Sequence, residues 1–463
     1  MGIGEKIIVG LLAAACASSA YAGDSTAERK LFHDIYKEMV EINTSHSAGD
    51  TAEAARAVQK HLIDAGFTAD EIQIFEPFPR KGNLVVRLKG TGVKEPILLL
   101  AHLDVVEAKR EDWKNDPFTL QEKDGYFTAR GAIDDKASAA AFVSILSQLK
   151  REGFKPNRDI ILALTADEER LDVPTNGAAW LLNNKRELIQ AAYGISEGGN
   201  GELIDGKPLV HKVELAEKQY MTVELETTNP GGHAARPTKA NAIYELSDAL
   251  NRIAQYQFPV HMTDTARLYF EASGKANSGE MAEAMRTISQ DEHNANAIER
   301  ISARPDLAAL LRSTCVATML QAGHAENALP QRAKATLNCR ILPGENAQAV
   351  EQELRQLAGS RVALRVTDTS VPAPASAPNP DVIGAVEKIT QQIWPGVRVV
   401  PFMTPTTTDM RWFRNAGIPM YGITGMFIDP VNNGVHGLNE HIGQKELYDG
   451  REFLYRLVKL LTS

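Results

Sequence analysis

The sequence predicts an α/β fold: a mostly parallel central sheet flanked by helices, with a smaller α+β domain inserted into it. EPILLLAHLD (95–104) and DIILALTADEE (159–169) are continuous apolar runs ending in polar residues, the pattern of strands buried on both faces. Between them KASAAAFVSILSQLKREG (136–153) has the helical apolar period and closes on Gly153, which makes a βαβ alternation. From about 216 onward the strands instead alternate apolar and polar residues, which describes a second sheet with one solvated face.

Taken in chain order, residues 1–22 read as an export signal. Lys6 supplies a weakly basic start, IIVGLLAAACA (7–17) the apolar stretch, and Ala20-Tyr21-Ala22 a small-residue cleavage site. The mature protein is therefore expected to begin near Gly23 and to be periplasmic or secreted. Cys16, preceded by LLAAA, offers lipid attachment as an alternative, but the better cleavage site lies after it. The pattern from 27 to 66 is helical and ends at Gly66, and NLVVRLKG (83–90) reads as a strand.

The inserted domain is expected over 216–372, between catalytic segments 23–215 and 373–463. It holds a strand in KQYMTVELETT (218–228), a turn in NPGGHAARP (229–237) and a helix over 241–256. A strand within 328–344, a helix over 346–359 and a strand over 361–370 complete it, and the polar stretch of roughly 262–325 reads as a helical insertion of its own. VPAPASAPNP (371–380) is the linker back. The α/β style then resumes with a helix over 381–392, a strand near 397–402 and a helix over 444–462.

The 463 residues suffice for two or three domains, and 43% hydrophobic with 24% charged content is ordinary for a soluble globular protein. A net charge of −9 argues against a nucleic-acid surface. No stretch after the signal has 18 uninterrupted apolar residues, so no transmembrane helix is expected in the mature chain. Cys315 and Cys339 remain once the signal is removed; a disulfide and a pair of buried thiols fit the sequence equally well.

Five candidate metal ligands fall in short phrases at strand ends and in loops: His102 in HLD, Asp134 in GAIDDK, Glu169 in DEE, Glu197 in SEGG and His436 in NNGVHGLNEH. Two histidines and three carboxylates are what two Zn²⁺ ions need when one carboxylate bridges them. Asp104 is placed to hold the His102 imidazole through its other ring nitrogen, the alternative being a satisfied polar pair at a strand end. The adjacent acids of DEE repel one another unless a cation neutralises them, which suggests Glu169 as ligand and Glu168 as the base that takes a proton from water. Asp134 and Asp135 precede a helix, where Asp also serves as an N-cap, and the two acids can divide the capping and metal roles, one each. GISEG (194–198) matches a serine-nucleophile turn with Asp409 and His436 following in order, but the GGNGELIDGKP after it is a poor helix sequence. The chain has no HExxH, no phosphate-binding glycine loop and no zinc-ribbon cysteine set.

In order along the chain, HLDVV, WKNDPF (113–118), RGAIDDK, TADEE, PGGHAARP, the NALP and NCRILPG pair and GVHGLNEH resemble the M20 family of zinc metallopeptidases. That family includes carboxypeptidases, aminoacylases and carnosinase-type dipeptidases, and the resemblance spans almost the whole mature chain. It implies a zinc-peptidase catalytic domain in which Asp134 bridges two zinc ions, His102 and Glu197 complete one site, and Glu169 and His436 complete the other. It further implies Glu168 as general base and Asp104 as orienting acid. His233 resembles the lid histidine that reaches an active site, often the partner subunit's, and stabilises the oxyanion. Arg340, with Asn327, resembles the pair that holds the substrate and its carboxylate, which a guanidinium fork matches.

The implied substrate is a small peptide or an N-acyl amino acid cut next to a free carboxylate. The same donors accept Mn²⁺ or Co²⁺, and the lid is where a homodimer would form. Two features depart from the family pattern. Ala137 stands where a Gly usually follows the lysine, and 262–325 is longer than in compact members, which leaves the dimer contact and the role of His233 in trans open. Two readings from other classes are a serine esterase using Ser196 and an inactive binding module; the latter would lack a ligand or the base, and the sequence lacks neither.

Overall fold

The structure, a computed structural model, describes residues 26–170 and 173–463. The expected signal at 1–22 and its lipid alternative at Cys16 lie outside the described residues. A ten-stranded sheet organises the larger domain. At its centre Ile160–Thr165, Ile97–His102, Tyr193–Ser196 and Met420–Gly422 lie side by side and parallel. Ile72–Phe78 and Lys81–Leu88 extend one side antiparallel. Lys207–Glu217 extends the other, carrying Gly201–Ile204 antiparallel and Arg398–Thr404 parallel to it.

The two apolar runs are strands because both faces are covered. Leu99, Ala101, Leu162 and Leu164 face a core shared with the helices Thr26–Glu41, Thr51–Asp64, Lys136–Arg151 and Gln444–Thr462. Leu98, Leu100, Ile161 and Ala163 face the opposite core, under the helices Gly177–Asn184 and Met410–Asn415. His102 pairs in register with Thr165, so the two strand ends finish level and deliver HLD and DEE to one rim.

The helical pattern of 27–66 is two helices rather than one. Asp50 caps the second by accepting from the Glu53 N–H, and Asn43 Oδ1 accepts from the Ser45 N–H at 2.9 Å. A side chain at Gly49 would come within 2.4 Å of the Ser45 nitrogen, so glycine lets the chain fold back tightly there.

The inserted domain has a four-stranded antiparallel sheet in the order Thr314–Ala322, Arg332–Ile341, Gln219–Thr228, Ala363–Thr369. The helices Ala242–Gln255 and Ala347–Ala358 cover one face. The helical insertion expected over 262–325 ends earlier: its helices run from Asp264–Ala276 to Pro305–Leu311, and Thr314–Ala322 is an edge strand. Val316, Met319 and Leu320 on that strand are exposed, so no burial alternation marked it in the sequence. The helices themselves pack on the large sheet, where Phe270, Ile288 and Leu311 share a core with Val210, Val400 and Met403. Cys315 and Cys339 face each other in register on neighbouring strands and form a disulfide. Among the described residues no helix is long and apolar enough to cross a membrane.

Gly177 joins this packing to the 166–169 turn. Its N–H donates to the Ala166 carbonyl, and an added Cβ would lie 1.8 Å from Asn83 Oδ1, which itself accepts from the Ala166 N–H. Gly177→Ala is expected to destabilise the protein by about 1–3 kcal/mol through overpacking. Scanning calorimetry would read this as a lowered Tm, and an unchanged Tm would remove the constraint.

Candidate metal centre

Three neighbouring parallel strands place four of the polar residues. His102 ends its strand, Glu197 follows Tyr193–Ser196, and Glu168 and Glu169 follow Ile160–Thr165 through Asp167, which has a φ of +57°. This is the edge at which open α/β sheets bind ligands. Asp134 comes from the turn before Lys136–Arg151. Asp135 sits at the N-cap position of that helix but makes no side-chain cap; its Oδ2 accepts from the His102 N–H at 3.3 Å. His436 arrives from the 429–441 loop and is half open to solvent.

Asp134 lies between the two histidines: Oδ1 is 3.0 Å from His102 Nε2 and Oδ2 is 3.0 Å from His436 Nε2. Glu197 Oε1 is 3.7 Å from His102 Nε2, and Glu169 Oε2 is 3.0 Å from His436 Nε2. Glu168 Oε2 stands 4.0 Å from His102 Nε2. Donor atoms of His102, Glu168 and Glu197 lie within 4.8 Å of one another, as do those of His102, Asp134 and Glu169.

The electrostatics mark a place built for positive charge. Burial pushes the Glu168 and Glu197 carboxyls well above the usual range. Burial and the charge of Asp134 push Glu169 up to about 7. At Asp134 burial also acts upward, but the hydrogen bonds from His102 and His436 outweigh it and hold that carboxyl low. The bonds to Asp134 and Glu169 push His436 up to about 10. Imidazole nitrogens and carboxylate oxygens gathered at this spacing fit divalent cations.

Two further carboxylates brace the ligand loops by reading backbone N–H groups. Asp104 accepts from the Glu168 N–H at Oδ1 and the Glu169 N–H at Oδ2, each at 3.1 Å. Its expected contact with the imidazole takes a different form. His102 Nδ1 is 2.9 Å from the Asp104 carbonyl oxygen and 3.6 Å from the carboxylate, whose oxygens are turned to the two amides. Glu440, fully buried, accepts from Ile133 N–H at 2.7 Å and Asp134 N–H at 3.0 Å through Oε1. Its Oε2 takes the Gly131 N–H at 2.9 Å and Arg130 Nη1 at 2.7 Å, while Arg130 Nη2 donates to the Gly437 carbonyl. The one signal of Glu440 in the sequence is its place four residues after His436.

The remaining candidates fall outside this cluster. Ser196 is 2% exposed, its Oγ donates to the Leu100 carbonyl at 3.0 Å, and its strand leads into a second strand rather than a helix. Asp409 accepts from Asn176 and Thr165. The serine-nucleophile alternative is therefore overturned. His233 is exposed on Gly232–His233, paired with Ala328–Leu329, and the Ala234 N–H donates to the Asn327 carbonyl, so His233 and Asn327 sit together. Arg340 Nε donates to Asn338 Oδ1 at 3.1 Å, and its Nη1 reaches Thr407 Oγ1 at 3.5 Å. The neighbouring Thr406 and Thr408 line a cavity of about 340 Å³ that also borders Asp134 and Glu197.

Glu440→Gln puts an amide nitrogen, itself a donor, against backbone donors. It is expected to weaken metal binding about 10–100-fold, as loss of groups that orient ligands does. Competition with a chromophoric chelator reads this directly, and an unchanged affinity would remove Glu440 from the metal centre.

Residues 98–460 match the sequence model described as Peptidase family M20/M25/M40. The human N-fatty-acyl-amino acid synthase/hydrolase PM20D1 is 28% identical over 374 residues, 79% of this chain and 74% of that protein. Rat Aminoacylase-1A is 23% identical over 445 residues, 93% of this chain and 95% of that protein. Among solved structures, the M20 family metallo-carboxypeptidase Sso-CP2 from Sulfolobus solfataricus has a TM-score of 0.69 at 19% identity, covering 93% of this chain and 99% of that one. That last likeness concerns the fold. The family match runs from the first ligand-bearing strand to the last helix, across every residue of the cluster, and the chain accordingly belongs to peptidase family M20/M25/M40 as a metal-dependent hydrolase.

Proposed function

We propose that the protein is a two-zinc amidohydrolase that cleaves a peptide or N-acyl amide bond next to a free carboxylate. The observation that carries this reading is Asp134, whose two oxygens each lie 3.0 Å from the Nε2 of a different histidine. In this reading His102 and Glu197 hold one Zn²⁺, Glu169 and His436 the other, and Asp134 both, with Mn²⁺ or Co²⁺ acceptable to the same donors. When bound, the ions polarise the scissile carbonyl and lower the pKa of water. Glu168 takes a proton from the attacking water and passes it to the leaving amine. Its burial raises its proton affinity against the opposing pull of His102, which supports that role.

Arg340 accepts the substrate carboxylate in its guanidinium fork. Its contact with Thr407, next to the cavity that borders the metal ligands, supports this. His233, with Asn327 beside it, donates to the developing oxyanion. Its exposure, and the exposed apolar side chains of the edge strand Thr314–Ala322, support a second copy of the chain as the source or recipient of that histidine. The N-acyl form of the reaction is favoured by the cavity wall, where Ile133, Phe402, Met426, Ile428 and Val435 suit an apolar acyl group. Export to an oxidising compartment belongs to the same reading and is supported by the Cys315–Cys339 disulfide.

Mass spectrometry of the zinc-loaded protein with dipeptides, their C-terminal amides and N-acyl amino acids tests the assignment. Cleavage is expected only where the carboxylate is free, and equal cleavage of the amides would overturn it. Glu168→Gln is expected to lower kcat by about 10²–10⁴-fold with metal content unchanged. Arg340→Ala is expected to act mainly on KM.

A further inference from the structure

A second cavity, of about 200 Å³, opens in the inserted domain away from the metal centre. It lies where the ends of Ala242–Gln255 and Ala347–Ala358 meet Pro305–Leu311 and the first residues of Thr314–Ala322. Ile253, Tyr256, Phe258, Leu354 and Leu357 make its wall apolar, with the Tyr256 and Phe258 rings edge to face at 5.1 Å. The one cationic side chain on the wall is Arg312, which is 8% exposed.

Among the described residues, Arg312 has only neutral partners. Its Nη1 donates to Gln257 Oε1 at 2.6 Å and its Nη2 to Ser302 Oγ at 3.3 Å, while Nε has no partner. Two more deeply buried arginines, by contrast, face acids: Arg130 is 2.7 Å from Glu440, and Arg414 is 3.3 Å from Glu217. A buried guanidinium without a counter-charge is a costly arrangement that a bound anion relieves. The rest of the wall, which is apolar, specifies what else that anion carries. Cys315 lines the cavity and Cys339 opposite it is buried under the helices, so the neighbouring Arg340 projects from the other face of the sheet. The cavity is thereby separated from the substrate-carboxylate position proposed above.

We propose that this cavity binds a small monocarboxylate with an apolar body, its carboxylate on Arg312 and its body against Ile253, Phe258, Leu354 and Leu357. The volume corresponds to roughly seven water-sized groups, so the fitting ligand has a carboxylate and about four to six carbons. The site does not rest on the reading of the metal centre.

The test is calorimetric or ligand-observed NMR titration of the full, disulfide-intact chain with hexanoate and with hexanamide, its uncharged analogue. Hexanoate is expected to bind and hexanamide to bind about 10–100-fold more weakly, the loss expected for a charge-assisted contact. Arg312→Gln is expected to weaken hexanoate by a similar factor, Arg312→Lys to retain most of the binding, and Arg340→Ala to leave it unchanged. Leu357→Trp fills the cavity from a half-buried position and keeps the question answerable if Arg312→Gln does not fold. Equal binding of the amide, binding that survives Leu357→Trp, binding lost only in Arg340→Ala, or no binding up to about 10 mM would each overturn the proposal.

Discussion

The carboxylate of Glu440 accepts four hydrogen bonds from one short stretch of chain, residues 130–134, and the geometry of the metal centre follows from that grip. Asp134 and His436 lie some three hundred positions apart in sequence. Each is carried on a loop with no regular structure of its own, and neither loop could hold a ligand within a fraction of an ångström unaided. Glu440 ties one loop to the other through backbone N–H groups, and Arg130 closes the ring by reaching the Gly437 carbonyl. Asp104 repeats the device on the far side, where its two oxygens hold the amides of Glu168 and Glu169. In both cases a carboxylate outside the candidate metal cluster fixes the backbone beneath carboxylates within it, so the clustered side chains are not themselves spent on holding the backbone.

The sheet supplies the rest of the positioning. His102, Glu168, Glu169 and Glu197 need no bracing loop of comparable length because each sits within a few residues of the end of a fully buried strand. Rigid strands bring these four together, and clamped loops add Asp134 and His436. The mixture explains why like charge can be concentrated here at all: an arrangement free to relax would separate the carboxylates before a cation arrived.

How much of this was legible follows from what each feature writes into the chain. Ile97–His102 and Ile160–Thr165 were readable because burial on both faces demands unbroken apolar runs. The ligands after them were readable because they sit where such runs stop. Thr314–Ala322 is not, since a strand exposed on both faces from Val316 onward carries no periodic signal, and its sequence reads as part of a helical insertion. The break at 43–50 was hidden because it depends on Asn43, Gly49 and Asp50 acting on the backbone within an otherwise helical pattern. Glu440 was silent for the same reason: its partners are peptide groups, which every residue possesses. The direction of Asp104 toward two amides could be learned only from three-dimensional placement.

The helices between Asp264 and Leu311 are inserted into the sequence of the smaller domain yet pack on the larger one, sharing a core with Val210, Val400 and Met403. The smaller sheet is consequently tethered at more than its two chain ends. The polypeptide crosses from the small sheet's covering helix to the large sheet before 264 and returns at 312–313, where Lys218 donates to the Arg312 carbonyl. A rocking movement of Arg340 toward or away from the metal rim must therefore bend several short crossings at once. The insertion is a buttress between the two sheets and, on the function proposed above, limits the range of substrate lengths that Arg340 and the metal rim engage together.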